Sequence, residues 1–145
     1  MRHEVTEPVP NYLLDTNVLS EVVKKRPSVT VLGHLRDVPQ NTLHTSVVSV
    51  MEMRFGAVRS AAGSILWQRI RRDVLRRVKI LPLGEDEASR AGEILADLEL
   101  RGTPVGIEDV MIGATALVGG LVVVTRNVKH LGRIRGLLVE NWWEE

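Results

Sequence analysis

Residues 121–125 read Leu121-Val122-Val123-Val124-Thr125, four apolar positions in succession with no polar residue on alternate sites. A strand with one solvated face alternates apolar and polar side chains, whereas a strand covered on both faces is apolar throughout. Two-sided burial is characteristic of parallel sheets, whose crossover helices lie on both faces. This stretch therefore predicts an interior strand of an α/β domain.

The flanking sequence agrees. On the N-terminal side, Glu108 to Val118 reads as an apolar helix stopped by Gly119-Gly120. Before it, Glu85-Asp86-Glu87 places negative charge on a helix first turn, where the macrodipole favours it. Ala88, Ala91, Leu95 and Leu98 form that helix's stripe, and Gly102 with Pro104 ends it. Ile80 to Leu83 reads as a strand. Gly63 to Val78 reads as one helix, pairing an apolar row (Leu66, Ile70, Val74, Val78) with a basic row (Arg69, Arg72, Arg76, Lys79). Further back, Ser46 to Val58 reads as a helix, Thr42 to Thr45 as a strand and Val29 to Arg36 as a helix. Tyr12-Leu13-Leu14 is a short apolar run ending at Asp15, and Thr16-Asn17 offers caps for a helix through Val18, Leu19, Val22 and Val23. Beyond residue 125, Leu137 to Val139 is the last strand. The prediction is a single domain over residues 11–145, a mainly parallel central sheet flanked by helices on both faces, with residues 1–10 as a flexible tail.

Composition sets limits. The chain has 145 residues, 44% hydrophobic and 26% charged, the make-up of an ordinary globular protein. It has no cysteine, which excludes a disulfide framework, thiolate zinc sites and thiol catalysis, and suits a reducing cytoplasm. Met1 to Pro10 contains Glu4, Glu7, Pro8 and Pro10 without an apolar core, so it does not read as a signal peptide. The uncharged stretch Val110 to Thr125 is broken by Gly119-Gly120 and falls short of the roughly 20 apolar residues of a membrane span. Net charge is only +1, so any attraction to phosphate must come from a local patch or a bound metal.

Ligands of open α/β sheets bind beyond the carboxyl ends of the strands. Asp15 ends the first strand, Asn127 follows the 122–124 strand, and Asp109 opens the helix before it. Glu52 is the one acid between Asn41 and Val58, set among Val48, Met51, Met53 and Phe55. Each has an ordinary reading: Asp15 as a helix cap, Asp109 as a macrodipole partner, Asn127 as a turn residue. Glu52 resists one, because a carboxylate on an apolar stretch is costly to bury unless paired. Together, three carboxylates and a carboxamide are expected at one end of one sheet, with no lysine or arginine placed to neutralise them all. Like charges held close repel, and a divalent cation resolves the conflict. Oxygen donors favour Mg²⁺ or Mn²⁺ over zinc.

Four segments then carry a family resemblance: Leu13-Leu14-Asp15-Thr16-Asn17-Val18-Leu19-Ser20-Glu21, Ser46 to Gly56 around Glu52, Ile107 to Leu117 around Asp109, and Val124-Thr125-Arg126-Asn127-Val128-Lys129-His130-Leu131. In that order they resemble the PIN-domain ribonucleases, and among them the VapC-type (FitB-like) toxins of bacterial type II toxin–antitoxin pairs. The resemblance implies an endoribonuclease that hydrolyses RNA phosphodiesters with Mg²⁺ or Mn²⁺. Asp15, Glu52 and Asp109 match the family's acidic metal-site positions, and Asn127 matches a fourth that is aspartate in some members. Where many relatives carry an acid three residues later, this chain has His130, so an acidic fourth ligand is missing.

On this reading Asp15 and Asp109 hold the metal directly. Glu52 adds a ligand or orients the attacking water, and Asn127 bonds a water on the metal or a phosphate oxygen. Thr16 and Thr125 support the ligands from behind. The row Arg69, Arg72 and Arg76 is a candidate RNA-positioning surface, with a solvated helix face as the ordinary alternative. The resemblance also implies a cytoplasmic homodimer held inactive by a VapB-like antitoxin. Trp67, Trp142 and Trp143 suit either interface anchoring or core packing. Two other functions compete. A phospho-accepting receiver-like domain would need an acidic pair after the first strand and a lysine after a late one, but the first strand ends in one acid and Thr125-Arg126-Asn127 offers no matching lysine. A PIN-like interaction module that has lost catalysis draws support from Asn127 and His130.

Overall fold

In the computed structural model, which describes residues 9–144, β1 (Tyr12–Leu14) stands at the centre of a five-stranded sheet. The order is β3-β2-β1-β4-β5, with β2 at Leu43–Ser46, β3 at Lys79–Leu81, β4 at Val122–Val124 and β5 at Val139–Glu140, and every pair is parallel. The tail expected over residues 1–10 lies, for residues 1–8, outside the described range.

The apolar run of β4 is explained by its register. Leu13 pairs with Val123 and Leu14 with Val124. Successive side chains point to opposite faces. Tyr12, Leu14, Val122 and Val124 therefore join one core with Val18, Leu19, Met53, Ile70 and Trp142. Leu13 and Val123 join the other, with Ile94, Leu98, Val110, Ile112 and Leu131. Helices α1 (Thr16–Val22), α2 (Val29–Asp37), α3 (Val47–Arg59) and α4 (Gly63–Asp73) supply the first core. Helices α5 (Glu85–Leu100), α6 (Ile107–Gly119) and α7 (Val128–Leu131) supply most of the second. From β1 the chain proceeds to β2 on one side, while β4 lies on the other, so the sheet changes direction between β1 and β4. A cleft at the carboxyl ends of these strands follows from that reversal.

Several boundaries differ from expectation. The helix predicted to run from Gly63 to Val78 ends at Asp73, and Leu75–Arg77 is a 3₁₀ turn. Val74, at φ −123 and ψ −63, leaves helical geometry while its side chain stays buried in the core. Arg76 consequently lies outside α4, and the basic row is not one helical stripe. Helix α7 had no signal beyond one turn of sequence, and the last strand falls at Val139–Glu140 rather than Leu137 to Val139. Gly120, at φ +67, closes α6 in the left-handed conformation that glycine adopts without strain. Among the described residues, no helix is long and apolar enough to cross a membrane.

Candidate active site

Asp15 is positioned by two strands and a helix. Its backbone N–H donates to the Val124 carbonyl at 2.9 Å, extending the β1–β4 ladder by one residue. Its side chain caps α1, with Oδ1 accepting the Thr16 N–H at 2.8 Å, so Asp15, rather than Thr16-Asn17, is the cap. Oδ2 accepts the Thr125 hydroxyl at 2.7 Å. The carboxyl is 5% exposed, yet no described cation pairs with it.

Thr125 organises the end of β4. While donating to Asp15, its Oγ1 accepts the Asn127 backbone N–H at 2.9 Å. Asn127 is thereby turned toward α6, and its Nδ2 donates to Asp109 Oδ2 at 3.4 Å. On the other flank, Thr16 Oγ1 donates to Glu52 Oε1 at 2.6 Å and lies 3.0 Å from Ser49 Oγ. Glu52 is half-buried rather than buried. Val47, Met51, Phe55 and Val58 of α3 are exposed, so the apolar stretch around it is not the interior its sequence suggested. Its anchor is the threonine hydroxyl, not a shielded apolar wall.

All four predicted residues line one cleft of about 380 Å³, together with Thr16, Asn17, Ser20, Glu21, Lys24, Arg126 and Trp143. Arg69, Arg72 and Arg76 do not line it. Arg69 donates to the Val23 carbonyl at 3.0 Å, and Arg72 pairs with Asp73 at 2.8 Å. A larger cavity of about 500 Å³ lies under α1 and α2, but its lining is mainly leucine and valine, without converging acids.

Electrostatics distinguish the two aspartates from the other acids. Burial raises the Asp15 carboxyl above its usual range; the Thr125 hydroxyl and the Thr16 N–H oppose this, and the Asp109 charge adds to the rise. Burial likewise raises Asp109, assisted by the charges of Glu52 and Glu108 and opposed by His130. The acids therefore sense one another, as expected from sequence. They do not form a tight cage: among the described residues, no three Asp, Glu or His side chains stand close enough to hold a metal by themselves. Each acid instead has its own hydrogen-bond partner: Glu52 the Thr16 hydroxyl, Asp109 the Asn127 amide and Asp15 the Thr125 hydroxyl.

This donor set still fits a hard divalent ion. Asp109 Oδ1 and Glu52 Oε2 accept no hydrogen bond among the described residues, and Asp15 and Asp109 carry charges that burial disfavours. Mg²⁺ keeps several waters and takes only one or two carboxylates, so a complete protein cage is not required.

Sequence reasoning gave no site role to six lining residues: Asn17, Ser20, Glu21, Lys24, Arg126 and Trp143. Asn17 lies 3.4 Å from both Asp15 Oδ2 and Thr125 Oγ1, and its Oδ1 accepts the Arg126 N–H at 3.3 Å. Its place two residues after Asp15 was the available signal. Lys24, Arg126 and Trp143 had none, because only the fold brings them to the cleft. Of the two cations that line the cleft, Lys24 pairs with Glu21 at 2.9 Å, and the Arg126 guanidinium lies over the Trp143 ring.

Comparison with known proteins agrees with this fold. The PIN domain family model matches residues 12–137. The tRNA(fMet)-specific endonuclease VapC of Salmonella typhimurium is 32% identical, covering 90% of this chain and 97% of that protein. Ribonuclease VapC2 of Haemophilus influenzae is 34% identical over the same shares. Among solved structures, FitAcB from Neisseria gonorrhoeae superposes with a TM-score of 0.86 at 27% identity, covering 92% of this chain and 99% of that one. DNA-bound VapBC from Salmonella typhimurium gives 0.83 at 30% identity, with 92% and 99% covered. These matches set aside the receiver-like alternative. With its all-parallel sheet and acid-lined cleft at the β1–β4 switch, the chain belongs to the PIN-domain family, with VapC-type ribonucleases as its relatives.

Proposed function

We propose that this chain is an endoribonuclease that hydrolyses RNA phosphodiesters with Mg²⁺ or Mn²⁺, the toxin of a VapBC-type pair restrained by a VapB-like antitoxin. The observation that carries the reading is the placement of Asp15, Glu52 and Asp109 in one cleft, with the two aspartates raised by burial and by neighbouring charge. The VapC ribonucleases among its relatives supply the substrate class, and the VapBC and FitAB assemblies among its structural neighbours supply the partner.

Asp15 and Asp109 would hold the ion, with Glu52 as a further ligand or as the group orienting the water. When bound, the ion offsets the carboxylate charges and stabilises charge developing on the phosphodiester. The chain's own residues do the rest. Thr16 holds Glu52 through its 2.6 Å hydrogen bond to Oε1, leaving Oε2 to accept a proton from an attacking water. Thr125 fixes Asp15, and Asn127 contributes an amide donor for a phosphate oxygen while steadying Asp109.

The test is cleavage of structured RNAs by the purified chain, with and without Mg²⁺ or Mn²⁺, with Asp15→Asn and Asp109→Asn as variants. Cleavage that needs the ion, falls at least about a hundredfold in each variant and stops on adding the product of an adjacent short reading frame is expected. Parent-rate cleavage by both folded variants sinks the assignment. A PIN-like interaction module without catalysis is the second reading, favoured by the looseness of the acidic set. RNA left intact by the parent chain with either ion would favour that module instead.

A further inference from the structure

An RNA entering this cleft meets carboxylates, so a fixed cation is needed to offset the repulsion between phosphate and acid. Two line the cleft. Lys24 is engaged with the buried Glu21 at 2.9 Å, leaving Arg126, which has no carboxylate partner among the described residues.

Arg126 is unusually well held for an exposed arginine. Thr125, before it, is bonded to Asp15, and Asn127, after it, is bonded to Thr125 Oγ1 and to Asp109. Its own N–H reaches Asn17 Oδ1 at 3.3 Å. The backbone of Arg126 is thus tied to neighbours of both proposed metal-binding aspartates. The guanidinium lies over the Trp143 ring, 5.3 Å from its centroid. That ring is fixed in turn: its Nε1–H donates to Glu21 Oε1 at 3.3 Å, and the Trp143 N–H donates to Asn141 Oδ1 at 2.8 Å. A guanidinium stacked on an aromatic face keeps its in-plane N–H edges free, and those edges match the paired oxygens of a phosphate.

We infer that Arg126, carried on the Trp143 platform, is the residue that positions the RNA backbone phosphate in the cleft. The inference rests on the ribonuclease reading above and extends it to the side chain that seats the substrate. Arg126 does not take part in the chemistry itself; it acts by holding the phosphodiester in register with the aspartates. The stack on Trp143 restricts the arginine side chain before substrate arrives, so less conformational freedom is lost on binding.

The experiment measures binding of a short fluorescent oligoribonucleotide by anisotropy, across a salt series and without divalent ion, for the parent, Arg126→Ala, Arg126→Lys, Trp143→Phe and Trp143→Leu. KM and kcat are measured in parallel with Mg²⁺ or Mn²⁺, and thermal melts check folding. Arg126→Ala is expected to weaken binding about tenfold or more. It should also lower the slope of log affinity against log salt by about 0.7, the value for one contact to single-stranded phosphate. KM should rise more than kcat falls. Arg126→Lys should recover the slope but only part of the affinity. Trp143→Phe should stay near the parent, and Trp143→Leu should fall between the parent and Arg126→Ala. Unchanged affinity and slope in Arg126→Ala, with a parent that cleaves RNA, overturns the inference and leaves the ribonuclease reading standing. A parent that neither binds nor cleaves RNA overturns both.

Discussion

Asp15 and Asp109 are opposed by the fold that places them. Burial is the main cause of both raised carboxyls, so the fold disfavours their charged forms. A folded-state value above the unfolded one contributes stability that is complete below the usual aspartate range, about 3.9. That contribution is lost as pH rises through the raised value. Asp109→Asn removes one such group. Without added divalent ion, the stability difference between this variant and the parent should therefore shift in the variant's favour as pH rises above about 4. Adding millimolar Mg²⁺ reverses the ranking: the parent's melting temperature should rise by ligand linkage, and the variant's should not. Differential scanning fluorimetry over a pH series, with and without Mg²⁺, measures both. An equal Mg²⁺ shift in the two proteins would exclude Asp109 as a ligand.

At the scale of elements, Glu21 does for the cleft wall what Thr125 does for its floor. This carboxylate on α1, only 4% exposed, accepts Lys24 Nζ at 2.9 Å, the Ser28 N–H at 2.9 Å and Trp143 Nε1–H at 3.3 Å. It joins α1 to the residue that caps α2 and to the C-terminal tryptophan beneath Arg126. Its carboxyl lies below the usual range, first because of the Lys24 hydrogen bond, which with the Ser28 and Trp143 donors outweighs burial. The sign is opposite to that of the aspartates: stability is present above the usual glutamate range and lost as pH falls through the lowered value. Glu21→Gln places an amide donor among three donors and should cost roughly 1–3 kcal/mol. The shift of the urea midpoint at unchanged slope reads this directly; a cost under about 0.5 kcal/mol, the range of ordinary surface changes, would remove Glu21 from this role.

For the whole molecule, the C-terminal end closes one of the two cores. Trp142 is 1% exposed, with its ring edge-on to Tyr12 at 5.1 Å and stacked on His34 at 5.2 Å. Its Nε1–H donates to Glu140 Oε1 at 3.1 Å, so the indole's one polar group is satisfied. Of the two uses open to the tryptophans, core packing is the one Trp142 takes, whereas Trp143 borders the cleft. Trp142→Ala should cost about 3–5 kcal/mol, a large share of the roughly 5–15 kcal/mol by which domains are stable. Equilibrium denaturation of parent and variant tests this, and a loss below about 1 kcal/mol would mean that the C-terminal end is not part of the cooperative core.

The layered architecture was legible in the residues alone, and so were four polar positions that line the cleft. Residues 121–124 are apolar at every site because both sheet faces are covered, and that pattern survives in the sequence whatever the exact pairing. Asp15 and Asn127 were legible because strand ends are marked by an abrupt change from apolar to polar, and Glu52 and Asp109 because acids are rare on their apolar helices. How those acids are held is a matter of long-range contacts. The carboxylates are bonded by Thr16, Thr125 and Asn127, and these hydrogen bonds span up to 110 positions of sequence. The break at Val74 likewise reflects a buried side chain retained in the core, which no helical periodicity records. Arg126, Trp143 and Glu21 meet only because β4, the C-terminal end and α1 share one end of the sheet, and local sequence carries no trace of a contact made by packing.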